Sequence, residues 1–334
     1  MTQASSPRYL ILGTAKGYRW DQVAHFVDSW LASCPHATLV LLVDAAPSPE
    51  LRRRLEAAGA ILYPLPRLLT ERSNVSRRLL HSFHATFLHR LLAARMPDAG
   101  KATPRDVLKW RRLASEFHHI GCSRFFSYLA FLEGWVDGAS HVLLTDVRDV
   151  LFQADPFSYA PDDGLVLAMH KRSLTLGTEP TNARWLDYAY GRERWKSFAN
   201  HPVSCAGTTM GTMGAVREYL TRMSAEIIRL TPRLVGQDGL DQGVHNFLLN
   251  TGQLPPARLA ENGNGPFATL HGEDLAVFHR DSRRRLLNRN GSVVPIVHQF
   301  DRIPGLGAEL IGAVAHQTPV DVGGTGRSED IGTP

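Results

Sequence analysis

The chain has 334 residues, about twice a typical ~150-residue domain, so one large α/β domain or two smaller ones are both allowed. Hydrophobic residues make up 43% and charged residues 21%, which excludes a disordered, collagenous or coiled-coil chain. A net charge of +5 favours an anionic partner, but it is too dilute for a nucleic-acid tail, and the runs Arg52–Arg54 and Arg283–Arg285 lack the interleaved aromatics of a base-stacking surface. They read as solvated faces, no nucleic-acid partner is expected, and phosphate-bearing small molecules fit the charge.

The first residues lack the apolar core of a signal peptide, and no window approaches ~18 uninterrupted apolar residues, so no transmembrane segment and a cytoplasmic location are expected. Residues 8–13 read as a buried strand that ends in the turn Gly13–Tyr18. A helix over Trp20–Ala32 places Val23, Phe26, Val27, Trp30 and Leu31 on one face. Residues 37–43 form a second strand ending at Asp44. A helix over Leu51–Ala58 closes at Gly59 before a third strand, Ala60–Tyr63. This alternation predicts a Rossmann-like α/β fold with a doubly wound, mostly parallel sheet. Ser73–Glu133 is mostly helical, with a polar interruption at Pro97–Pro104. His141–Leu144 is a continuous apolar strand that stops at Thr145–Asp149, and ligand sites of such sheets lie beyond the carboxyl ends of strands.

Gly164–His170 reads as another strand. Pro202–Gly214 is rich in glycine and threonine before a helix over Ala215–Leu230, and Asn290-Gly291 predicts a C-terminal β-hairpin with two positive-φ residues. The expected organisation is one domain over residues 1–315, with a nucleotide-binding half at 8–157 and an acceptor-side half at 158–315. A disordered tail is expected at 316–334. The cysteines Cys34, Cys122 and Cys205 show no C-x-x-C spacing and read as small core residues.

Asp146 and Asp149 bracket one turn at a strand end, where two carboxylates can converge on a hard divalent cation such as Mn2+ or Mg2+. The structural alternative has Asp146 capping the turn and Asp149 paired with Arg148 or Arg124. His81, His84, His89, His118 and His119 make no H-E-x-x-H pattern, so a histidine-rich metal hydrolase is not supported.

The segment Leu143–Phe157, with Asp146, Asp149 and Asp155-Pro156-Phe157, resembles the D-x-D strand-end signature of GT-A-type nucleotide-sugar glycosyltransferases, here as D-x-x-D. Counting back from Asp155-Pro156 aligns Asp149 with the family's second aspartate, so Asp146 reaches in from one residue earlier than the first. Three more segments, in family order, resemble retaining glycogenin-like and lipopolysaccharide galactosyltransferase-like enzymes: Ser123–Tyr128, Gly239–Asn246 and Val297–Arg302. The resemblance implies a nucleoside diphosphate sugar donor, a hydroxyl acceptor and a metal held by Asp146, Asp149 and His298. It implies donor contacts from Thr14, Ala15, Gly17 and Tyr18 in the first turn, from Asp44, from Arg124, Tyr128, Asp146 and Arg148, and from Gly207 in a small-residue loop. Asp44 reads more readily as a turn or helix-cap aspartate, and Ser204–Thr209 equally as a tight strand connection.

Asp241 and Gln242 stand where the resemblance implies the sugar and acceptor side of a retaining enzyme, while Asp238 is placed as the base of an inverting one. Trp185, Tyr188, Tyr190, Trp195 and Phe198 read either as a sugar-stacking platform or as packing of an insertion. Two rival functions remain at this point: a sugar-phosphate nucleotidyltransferase, and a nucleotide-sugar-binding module without turnover. The first would carry a glycine- and lysine-rich loop that this chain lacks.

Overall fold

The computed structural model describes residues 8–65, 87, 90–91, 93–135, 138–234 and 240–315. Asp238, His81, His84, His89 and the segment 316–334 lie outside the described residues.

Seven strands form one sheet: β1 (Tyr9–Thr14), β2 (Thr38–Val43), β3 (Ile61–Pro64), β4 (His141–Thr145), β6 (Leu165–Met169), β7 (Ser204–Thr212) and β8 (Ala257–Ala260), in the order 3-2-1-4-7-6-8. β7 runs antiparallel to β4 and β6; every other neighbouring pair is parallel. The fold is therefore α/β and Rossmann-like, with a mostly parallel sheet. Most of the Gly/Thr-rich stretch at 202–214 is not a loop but the antiparallel strand β7, sitting between β4 and β6. Small and β-branched side chains suit it, because both of its faces are covered and eight of its nine residues are buried.

The apolar runs form strands because each alternates between two cores. Leu10, Leu12, Val40, Leu42, Val142 and Leu144 point into one core, shared with the helices α3 (Pro104–Phe117), α4 (Ile120–Gly134), α5 (Pro180–Tyr190), α6 (Met213–Leu234) and α7 (Leu240–Asn250). Ile11, Leu39, Leu41 and Leu143 point into the other, against α1 (Ala24–Ser33) and α2 (Pro49–Ala57). Ser48 caps α2 by accepting from the Leu51 amide at 3.3 Å, with Pro49 in the first turn. On the outer face of α2, Arg52 and Arg54 pair with Glu56 and Glu50, a solvated arginine run.

A second sheet, β5–β12–β9, joins Val150–Phe152, Ile296–His298 and Phe267–Thr269. β10 (His279–Arg280) pairs with β11 (Leu286–Leu287), and α8 (Leu306–Ala315) ends the described chain. The hairpin expected at Asn290-Gly291 shrinks to one bridge, Leu287 to Val293. Gly291 has φ +84° but Asn290 does not join it in the left-handed region. Its carboxamide instead accepts from the Ser292 amide at 3.0 Å, a local turn that needs only one positive φ.

Trp195, Tyr190 and Phe198 are buried, and Tyr190 stacks on Phe247 with ring centroids 3.6 Å apart. These aromatics pack the α5 region rather than presenting a platform; Tyr188 is the exposed one. Among the described residues, no helix is long and apolar enough to cross a membrane.

Candidate metal and nucleotide-sugar site

β1 and β4 are neighbours, with α1, which follows β1, packed on one face of the sheet and α4, which precedes β4, on the other, and a crevice opens beyond their carboxyl ends. It is a cleft of about 420 Å³. Asp146 leaves the end of β4, where its amide donates to the Gly207 carbonyl at 2.7 Å. Asp149 follows one turn later, and its carbonyl accepts from the Gln299 amide at 2.8 Å. Because β12 pairs antiparallel with β5, His298 stands opposite Val150. A residue distant in the chain is thereby delivered beside Asp149.

The donor atoms of Asp146, Asp149 and His298 lie within 4.8 Å of one another. Nε2 of His298 is 3.3 Å from Asp146 Oδ2 and 3.7 Å from Asp149 Oδ2. That nitrogen is buried and makes no well-aligned hydrogen bond. Gly207 leaves the remaining room: a Cβ there would stand 2.4 Å from His298 Cε1 and 2.6 Å from Asp146 Oδ2. Two carboxylate oxygens, one imidazole nitrogen and a cradle kept open by a glycine fit a hard divalent cation.

The second oxygen of Asp146 is held elsewhere. Arg124, on α4, donates Nη1 to Asp146 Oδ1 and Nη2 to Asp241 Oδ2, the latter at 3.0 Å. Burial opposes ionisation of Asp146, but Arg124 and His298 outweigh it and hold its carboxyl well below the usual range. Asp149 goes the other way. Its burial, with the Asp146 charge beside it, exceeds the help from His298 and raises it. His298 is raised far above an ordinary histidine, since Cys205, Asp149 and Asp146 overcome its burial. Burial would push the Cys205 thiol up, but His298 and His170 together outweigh it and Cys205 drops to about 6.

Thr14, Tyr18, Arg124, Asp146, Arg148, Asp149 and Asp241 all border the cleft. Burial and the two nearby acids raise the Tyr18 phenol. The other proposed residues stand apart from it. Tyr128 lies underneath, its hydroxyl 2.8 Å from Thr14 Oγ1, and burial pushes it up to about 12. Ala15 is buried, with its amide on the Leu42 carbonyl. Asp44 accepts from the Gly17 amide at 2.6 Å, which makes it a turn aspartate. Gln242 donates to Asn182 Oδ1 at 3.0 Å and does not border the cleft. Gly207 serves the acid–histidine cluster.

Sequence reasoning missed Lys16, His119, Asp301 and Arg302, which also line the cleft, and Cys205, whose Sγ is 3.6 Å from His298 Nδ1. Arg302 had a signal, four residues after His298. His119 caps α4 by accepting from the Gly121 amide at 3.3 Å, a position marked only by the helix start.

No protein-family model matches the sequence, and no curated protein matches it. Among solved structures, the crystal structure of an active-site mutant of LgtC is similar over 92% of this chain and 95% of that one, with 14% sequence identity and a TM-score of 0.47.

Proposed function

We propose that this protein is a divalent-metal-dependent glycosyltransferase that moves a sugar from a nucleoside diphosphate to a hydroxyl acceptor. The convergence of Asp146, Asp149 and His298 at the strand ends, in a cleft that also holds Lys16, Arg148 and Arg302, carries the reading. Acids that seat a cation beside three cationic side chains suit a diphosphate better than a neutral ligand. The likeness of the D-x-x-D segment to the glycosyltransferase signature supplies the sugar.

Asp146, Asp149 and His298 would hold Mn2+ or Mg2+, which supplies Lewis-acid stabilisation of charge on the departing diphosphate. Lys16, Arg148 and Arg302 bind the same phosphates from the cleft wall. Thr14 and Tyr18 border the donor's entrance. Arg124 fixes Asp146 with one arm and Asp241 with the other, so Asp241 serves as an orienting group on the sugar side and not as an unengaged base. The acceptor oxygen approaches from the leaving-group side: the bond from the anomeric carbon to phosphate oxygen breaks, the bond to the acceptor oxygen forms on the same face, which gives retention, and the acceptor proton passes to a departing phosphate oxygen.

The test is donor hydrolysis across uridine, guanosine and thymidine diphosphate sugars. One donor should release sugar and nucleoside diphosphate with Mn2+ and not with chelator. Asp149→Asn should lower that turnover on the order of 10²-fold or more. Unchanged turnover in the variant would contradict the site. Pyrophosphate release from a nucleoside triphosphate and a sugar phosphate would replace the reading with nucleotidyl transfer, and donor binding without turnover would replace it with a binding module.

A further inference from the structure

The rear of His298 has an unusual neighbour. Metal-ligating histidines generally donate their second ring N–H to a carboxylate, a carbonyl or water, and that outer partner fixes which nitrogen carries the proton. Here Nδ1 faces Cys205 Sγ at 3.6 Å, and both residues are 1% exposed. The strand that carries the thiol is built to place it. β7 pairs Cys205 with Ala168 of β6, but the next pair is Thr209 with Leu167, so Ala206–Thr208 bulge between the two. Bulges re-aim side chains beside active sites. This one sets Cys205 against Nδ1 and brings Gly207 to the opposite side of the ring, where a Cβ would stand 3.0 Å from Nε2.

Resting on the metal reading above, we propose that Cys205 is a positioning residue: its sulfur accepts the Nδ1–H of His298 and so presents the Nε2 lone pair to a cation between Asp146 and Asp149. The two acids on the Nε2 side would otherwise draw a ring proton toward themselves, leaving no lone pair for the metal. Sulfur is a weak acceptor, yet it is the partner that the structure gives Nδ1. Cys205 is therefore part of the site without touching substrate or cation.

Two readouts on the full chain test this, and neither is turnover. Mn2+ affinity of the wild-type protein, Cys205→Ala and Cys205→Ser is measured by electron paramagnetic resonance titration, with thermal melting as the check on folding. The Ala variant should lose about 10-fold in affinity, the low end for loss of an outer partner of a metal ligand, and Ser, which keeps an acceptor, should recover part of it. In metal-free protein, 15N-histidine NMR should show a slowly exchanging His298 Nδ1–H in the wild type that is lost in Cys205→Ala. An Nδ1–H equally protected in the Ala variant, or equal Mn2+ affinities in folded variants, overturns the proposal. Failure of the wild-type protein itself to bind Mn2+ overturns the metal reading instead, and the resonance comparison still decides whether the thiol holds the ring.

Discussion

Arg124 divides one guanidinium between Asp146 and Asp241, and its side chain is only 12% exposed. Removing it takes from Asp241 and Asp146 the guanidinium they share and leaves Asp146 with His298 beside it, a costly way to break a largely buried network. Arg124→Gln should destabilise the fold by about 3–5 kcal/mol in chemical denaturation. Arg124→Lys should recover only part of that, because an ammonium cannot reproduce the planar fork; equal stability of the Lys variant and the wild type would contradict the bridging role. Gly207→Ala is a sharper probe of the proposed cation seat. Its Cβ would come within 2.6 Å of Asp146 Oδ2 and closer still to His298, so Mn2+ binding should fall at least 10-fold. Wild-type affinity in calorimetry would show that the cradle is not used.

At this scale the sequence pointed to side chains that stand near their own strand end. Asp146 and Asp149 were legible because a strand buried on both faces must stop where charge begins. His298 was found through motif resemblance, since only the β5–β12 register brings it to Asp149. Cys205 carried no local signal at all. Gln242 was placed on the acceptor side, but on α7 its amide reaches Asn182, a direction that spacing cannot give.

Among the elements, β7 and α7 are tied by polar groups buried between them. His245, fully buried on α7, meets the Tyr219 hydroxyl at Nδ1 and the Ser204 hydroxyl at Nε2, each at 2.9 Å. Asn246 reaches the same strand through the Ser204 amide and carbonyl. Burial lowers His245 to about 3. Above about pH 6.5 the ring is neutral in both folded and unfolded chains, so the group adds no pH dependence. Below that, the unfolded chain takes up a proton that the folded chain refuses, and stability falls by roughly 1.4 kcal/mol per pH unit until the folded value near 3 is reached. Thermal melts of wild type and His245→Gln between pH 7 and 4 check this: the wild type should lose stability more steeply, and parallel slopes would contradict it. β7 itself was the element least legible in the sequence. Its glycines and threonines lack the apolar run of β4, and its strand character comes from pairing on both sides rather than from local propensity.

The alternation of strands and helices in the first 65 residues sets the parallel half β3-β2-β1, and the apolar strand β4, pairing on the other side of β1, opens the crevice at the ends of β1 and β4. That much is legible in the residue pattern alone, because parallel strands need crossover helices and right-handed crossovers leave few topologies. The insertion of β7 as an antiparallel strand and the separate β5–β12–β9 sheet are not, since both depend on pairings between distant segments. Yet these two features bring His298 beside Asp146 and Asp149, Cys205 behind its ring, and Gly207, whose lack of a Cβ leaves space among them. The most direct measurement is an anomalous difference map from crystals grown with Mn2+ and a nucleoside diphosphate. It should show one manganese peak among Asp146, Asp149 and His298, with the diphosphate between that peak and the cations Lys16, Arg148 and Arg302. A diphosphate bound in the cleft with no manganese between the acids, or manganese bound elsewhere, would contradict it.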